Sequence, residues 1–189
     1  MALIGFVFFG LFSPGPNVIL LTASGARFGF RATLPHLFGV ALGVGIIAFF
    51  TGLGLGTLVN TFPVVRLILT IIASLWILFM AWKLWHSGPA QARDTDRPFT
   101  FVQAILFQWV NPKIWAVALS AAAMTADVSP WTQAITLAVV FSGTNLCVCL
   151  FWTYAGSLLK TLLCDPVKWR VFIRIMAVAL AAFSVLVFL

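Results

Sequence analysis

The chain is divided into six apolar stretches, each about as long as the ~20 residues a helix needs to cross the hydrocarbon of a bilayer. They run from Met1 to about Ala23, Pro35 to Val59, Pro63 to Trp85, Phe99 to Thr125, Trp131 to Leu159 and Val171 to Leu189. Lipid offers no partner to backbone N–H and C=O groups, so a spanning segment must pair them internally, as a helix does. The pattern predicts an all-α membrane protein with six transmembrane helices. Composition agrees, at 62% hydrophobic and 8% charged, where soluble domains carry about 25% charged residues. The connections are short except for "HSGPAQARDTDRPF", His86 to Phe99. No soluble domain fits, and residues 1–189 read as a single transmembrane domain.

A formal charge of +7 raises the question of a nucleic-acid partner. Its distribution instead points to topology, because cytoplasmic loops of membrane proteins collect Lys and Arg. Arg27 and Arg31 follow span one. Lys83, Arg93 and Arg97 lie around the loop after span three. Lys160, Lys168, Arg170 and Arg174 lie around the loop after span five, and the opposite side has Arg66 alone. This places those three loops in the cytoplasm and both termini on the periplasmic side. The N-terminus has no basic leader and no small-x-small cleavage site, so it is expected to be retained.

An internal repeat is visible. "GTLVNTFPVVR" (Gly56 to Arg66) echoes "GSLLKTLLCDPVKWR" (Gly156 to Arg170). Proline breaks also correspond, Pro14 and Pro16 in span one with Pro112 in span four. The chain then divides into repeat one, about 1–85, a cytoplasmic loop, about 86–98, and repeat two, about 99–189. Three spans per repeat make the two halves inverted in the membrane. Inverted repeats with helices broken at matching positions mark secondary-transporter binding sites.

The breaks supply chemistry. Ser13-Pro14-Gly15-Pro16 frees carbonyls on one side and opens a new helix on the other, with Asn17 beside it. Asn111-Pro112-Lys113 repeats the theme with a charge added. The N-terminus of a half-helix favours an anion, and Lys113 adds a full charge for the same carboxylate. The freed carbonyls, with Asn17, Asn111 and Asn145, suit an ammonium, so the paired breaks are fitted to a zwitterion. The competing reading is that the prolines only shape packing, and that Asn145 only bonds across helices. Asp94, Asp96, Asp127 and Asp165 all fall in loops, which argues for a neutral substrate and leaves no carboxylate relay. If protons drive transport, His36 is the titrating candidate; otherwise it is an interfacial histidine.

Span two carries Gly39-x-x-x-Gly43 and Gly52-x-x-x-Gly56, spacings that let helices approach closely. The expected partner is a broken helix of the same bundle, with a homodimer interface as the alternative. Cys147, Cys149 and Cys164 make an odd count without a disulfide framework, and the first two read as small hydrophobes within an apolar run. All three lie in the second half of the chain, and no cysteine is expected near either break. No cofactor, metal site or enzyme activity is expected.

"SPGPNVILLTASGARFGFRATLPHLFGVALG" resembles the opening of the lysine-exporter/RhtB (LysE/RhtB) family of bacterial amino-acid exporters. The likeness continues through "LWILFMAWKLWHSG" and "RPFTFVQAILFQWVNPKIWAVAL" and covers nearly the whole chain. It is strongest to the branch exporting cysteine, O-acetylserine, homoserine and threonine. The resemblance implies a six-helix inner-membrane exporter coupled to proton flow. It carries site roles to Pro14, Gly15, Pro16, Asn17, Asn111, Pro112 and Lys113. Two departures stand out: the segment before PGPN is short, and Val44 follows Gly43 where many relatives have an acidic residue. The expected function is export of a small neutral amino acid by proton antiport and alternating access. The rivals are a membrane thiol/redox transporter of the same superfamily and a non-transporting scaffold subunit.

Overall fold

A computed structural model of the chain describes residues 2–55, 63–88 and 97–186. Among these residues there are eight helices and no strand: α1 (Ala2–Phe12), α2 (Pro16–Phe28), α3 (Phe30–Gly52), α4 (Pro63–Trp85), α5 (Phe101–Trp109), α6 (Pro112–Ala123), α7 (Pro130–Leu162) and α8 (Pro166–Leu186). By length and composition α3 and α7 can each cross a membrane, and α1 with α2 make a third such span bent by 58°.

Each break sits where proline requires it. α1 ends at Phe12, and the Ser13 hydroxyl donates back to the Gly10 carbonyl at 3.0 Å. Pro14 and the extended Gly15 interrupt the ladder, and Pro16 opens α2, where its missing N–H costs nothing. α5 and α6 are likewise parted at Val110 and Asn111, with Pro112 opening α6. α5 starts with a reciprocal cap. The Thr100 hydroxyl accepts from the Gln103 N–H at 3.2 Å, and the Gln103 side-chain oxygen accepts from the Thr100 N–H at 3.0 Å.

Three boundaries differ from the sequence expectation. Span two begins at Phe30, five residues before Pro35, because the carbonyl this proline leaves unpaired is that of exposed Arg31 in the first turn. The connection from α2 to α3 is Gly29 alone, at φ 87°, a left-handed conformation that glycine adopts without penalty. Arg27 and Arg31 therefore lie on helix ends rather than in a loop. Span six begins at Pro166, because the Asp165 carboxylate accepts from the N–H groups of Val167 (2.7 Å) and Lys168 (3.2 Å) and starts the helix early. The expected turn from Gly56 to Phe62, with Gly56 of the second glycine pair, and Arg93, Asp94 and Asp96 lie outside the described residues.

The packing order is specific. α3 lies against α7 and against α5, α2 lies against α7, and α4 pairs with α8. Gly39 faces the Phe101 carbonyl and Ala104, and Gly43 faces Ile105 and Gln108, so the glycine pair of span two packs on a broken helix. Gly25 of α2 faces the Thr153 carbonyl and Gly156 of α7 faces the Thr22 carbonyl, so these two helices cross backbone to backbone. Val7, Leu11, Leu21, Leu37, Val40, Val44, Ile47, Ile114, Leu137 and Phe141 fill the core between them. On the outer side the Ser74 hydroxyl of α4 donates to the Ser184 carbonyl of α8 at 2.9 Å.

Candidate functional site

The two breaks, nearly a hundred residues apart in sequence, meet. The Lys113 ammonium donates to the Ser13 carbonyl and, at 3.4 Å, to that of Pro14. It thus caps the C-terminal end of α1, where unpaired carbonyls carry partial negative charge. The Asn17 amide, from the first turn of α2, donates to the Gln108 side-chain oxygen at 2.7 Å, and the Gln108 amide donates back at 3.2 Å. Gln108 is in the last turn of α5 and fully buried. Each break therefore sends the residue after its helix-opening proline to the end of the other break's first half-helix.

Gly15 is buried in this arrangement. A methyl group there would run into the Lys113 side chain. Its role is close approach, since its extended backbone is open to any residue. Asn111 precedes α6 and makes no side-chain cap. It is fully buried, and neither its amide nitrogen nor its oxygen has a partner. A buried polar atom without a hydrogen bond costs about 1–3 kcal/mol. Such a residue carries a stability cost that packing alone does not explain.

A cavity of about 10 Å³ lies between the breaks, with Asn17, Asn111, Lys113, Asn145, Cys149 and Trp152 in its wall. That is room for about one water molecule, too little for an amino acid. The wall has one charged residue, Lys113, and no acidic residue. The Asn145 amide reaches the Val40 carbonyl at 3.5 Å, a long bond tying α7 to α3. Of the residues the sequence singled out, Gly15, Asn17, Asn111, Lys113 and Asn145 line this cavity. Ser13 and Pro14 are exposed and adjoin it through the Lys113 bonds, Pro16 and Pro112 open the flanking helices, and His36 lies elsewhere.

Sequence reading missed three residues here. Gln108 carried the signal already used for Asn17, an amide in an apolar run beside a break. Cys149 corrects the expectation that no cysteine approaches a break, and Trp152 lines the same wall one helical turn on. Cys149 is buried while Cys147 is exposed, because residues two apart on a helix do not share a face. The pair cannot close a disulfide without unwinding α7, and all three cysteines are free. Among the described residues no group of His, Cys, Asp or Glu is arranged to hold a metal ion.

The profile of the LysE type translocators matches residues 8–189. The chain belongs to this family. Curated relatives include the cysteine/O-acetylserine efflux protein of Salmonella typhi, 29% identical over 156 residues, covering 78% of this chain and 77% of the relative. The cysteine/O-acetylserine efflux protein of Escherichia coli O1:K1 / APEC is 28% identical over 158 residues, covering 79% and 78%. No solved structure matches. Family membership and the apolar helices make this LysE-type chain a multi-pass membrane protein.

Proposed function

We propose that this LysE-type chain is a secondary transporter that exports neutral amino acids or their derivatives across the bacterial inner membrane. Cysteine, O-acetylserine, homoserine and threonine define the substrate class. The relatives named as cysteine/O-acetylserine efflux proteins support that class. The observation that carries the reading is the pair of reciprocal links across the breaks, set around a buried amide without a partner.

The chain works as one domain of six spans in two inverted halves. Exchanging the halves turns the contact of span one with span five into that of span four with span two, and leaves the pairs two–five and three–six unchanged. All four contacts are made. Ser13, Pro14, Gly15, Pro16, Asn17, Asn111, Pro112, Lys113 and Asn145 form the substrate site. Parting of the halves releases Lys113 from the carbonyls of α1. The ammonium then takes the substrate carboxylate, and the freed carbonyls take its amino group. Rocking exposes this site to each side in turn. The basic end faces the cytoplasm, which puts both termini in the periplasm. Proton antiport drives the cycle, with His36, buried beside the Ser24 hydroxyl, as the coupling residue.

The test is efflux from cells loaded with O-acetylserine, cysteine, threonine or lysine. Export of the neutral compounds and not of lysine is expected, with Lys113→Met inserted normally but inactive. A protein that inserts and exports none of them overturns the reading. A second readout uses a Cys147→Ser/Cys164→Ser variant, which leaves Cys149 as the one thiol. O-acetylserine should slow its alkylation by N-ethylmaleimide.

A further inference from the structure

A second cavity, of about 80 Å³, lies farther along α2. It is bounded by α2, α3, α4, α8 and the stretch from Arg97 to Phe99. Ser24 follows Asn17 by two helical turns, about 10 Å on the same face of α2. Leu21 belongs to the wall of the first cavity and the adjacent Leu20 to that of the second, so the two cavities border the same turn of α2 on different faces.

The second wall contains three basic residues, Arg27, Lys83 and Arg97, and no acidic one. It also contains His36, which is 1% exposed and lies against the Phe99 ring with centroids 5.1 Å apart. The Ser24 hydroxyl is 3.3 Å from His36 Nδ1, while Nε2 is buried without a partner. With Ser24 donating to Nδ1, the ring carries its proton on Nε2 and offers a donor there. Three cations and a buried imidazole nitrogen without a partner, around a space for several water molecules, suit an oxyanion.

We propose that this cavity is a loading site, which holds the carboxylate of the amino-acid cargo on the basic side before it passes along α2 to the breaks. The assignment rests on the export reading and deepens it. Lys83 and Arg97 are exposed and draw the anion in. His36 and Ser24 mark its inner end, and Leu20 and Leu21 form the partition that opens when the halves part. The same donors would suit a phospholipid phosphate, so the test separates the two sources.

The experiment measures O-acetylserine efflux from proteoliposomes against internal concentration. It compares the full chain with Lys83→Gln, Arg97→Gln and the double variant. The expected result is a half-saturating concentration raised roughly tenfold in the double variant, with the maximal rate changed less than about twofold. An O-acetylserine amide, lacking the carboxylate, should show no difference between the proteins. Unchanged half-saturation, or an equal effect on the amide, overturns the proposal. So does a defect that follows the phosphatidylglycerol content of the vesicles rather than the cargo, which would assign the site to a lipid headgroup. If the unsubstituted chain moves no amino acid, the export reading has failed. Thermal protection of the detergent-purified chain by O-acetylserine then decides the site separately: protection lost in the double variant supports it, and protection equal in both, or absent in both, removes it.

Discussion

Asn111 is the residue at which stability and function part most clearly. Both polar atoms of its side chain are buried and unpaired. Replacing it by leucine, of the same branched shape though larger, removes that cost of about 1–3 kcal/mol per atom. Asn111→Leu is therefore expected to melt at or above the temperature of the unsubstituted chain in detergent, while its efflux falls about tenfold for one lost substrate hydrogen bond. A variant that unfolds more easily and still exports at full rate would show that the amide serves packing. Asn17, Asn111 and Lys113 were legible in the sequence because a polar residue beside a proline in an apolar run has few uses. Cys149 and Trp152 were not. They stand on α7, a largely apolar helix on which a single amide, Asn145, four residues before Cys149 and seven before Trp152, marks their face.

At the scale of elements, two glycines that do not form a spaced pair hold the central crossing. Gly156 meets the Thr22 carbonyl, and Gly25 meets the Thr153 carbonyl. Both obstacles are backbone and cannot rotate away. Gly156→Val should push α2 from α7 and destabilise the fold by about 1–3 kcal/mol, read as a lower melting temperature in detergent. Gly5, which has open space beside it, is the control, and Gly5→Val should melt unchanged. Equal melting of both variants would remove the crossing from the account. The Gly39/Gly43 pair could be read from its spacing alone. The Gly25/Gly156 crossing could not, because each glycine is single and gains meaning only from the other helix. The one-residue turn at Gly29 was hidden for a related reason: its arginines point to a membrane face but do not say that they sit on helices. The start of α8 has its own signature in pH. Hydrogen bonds from the Lys168 and Val167 N–H groups hold the Asp165 carboxyl below the ordinary carboxylate range. Its contribution is present above the unfolded pKa, about 3.9, and is lost as pH falls through the lower folded value. Acidification below about pH 4 should fray the first turn of α8, seen as lower amide protection factors at Val167 and Lys168 relative to the intrinsic exchange rate at that pH. Asp165→Asn should lose that pH dependence.

For the whole molecule, the proposed inverted halves would make a demand that no single residue or helix makes. Exchanging them carries Pro16-Asn17 onto Pro112-Lys113. Each second residue reaches the end of the opposite first half-helix, Lys113 to the carbonyls after α1 and Asn17 to Gln108 in the last turn of α5. Both destinations are helix C-terminal ends, whose dipoles favour a cation, although Lys113 meets backbone carbonyls and Asn17 a side-chain amide. The site thus needs one ammonium, and the two-fold relation leaves either break able to provide it. Lys113→Asn should lower efflux by about an order of magnitude, for the loss of one charged contact. Asn17→Lys alone should also impair it, because two ammonium groups would then share a wall without an acidic residue. The double variant Asn17→Lys/Lys113→Asn restores one charge and should recover efflux well above Lys113→Asn, so that the two substitutions are strongly non-additive. If the double variant exports no faster than Lys113→Asn and is normally inserted, the two breaks are not equivalent, and the matched prolines are a likeness of sequence without a likeness of function.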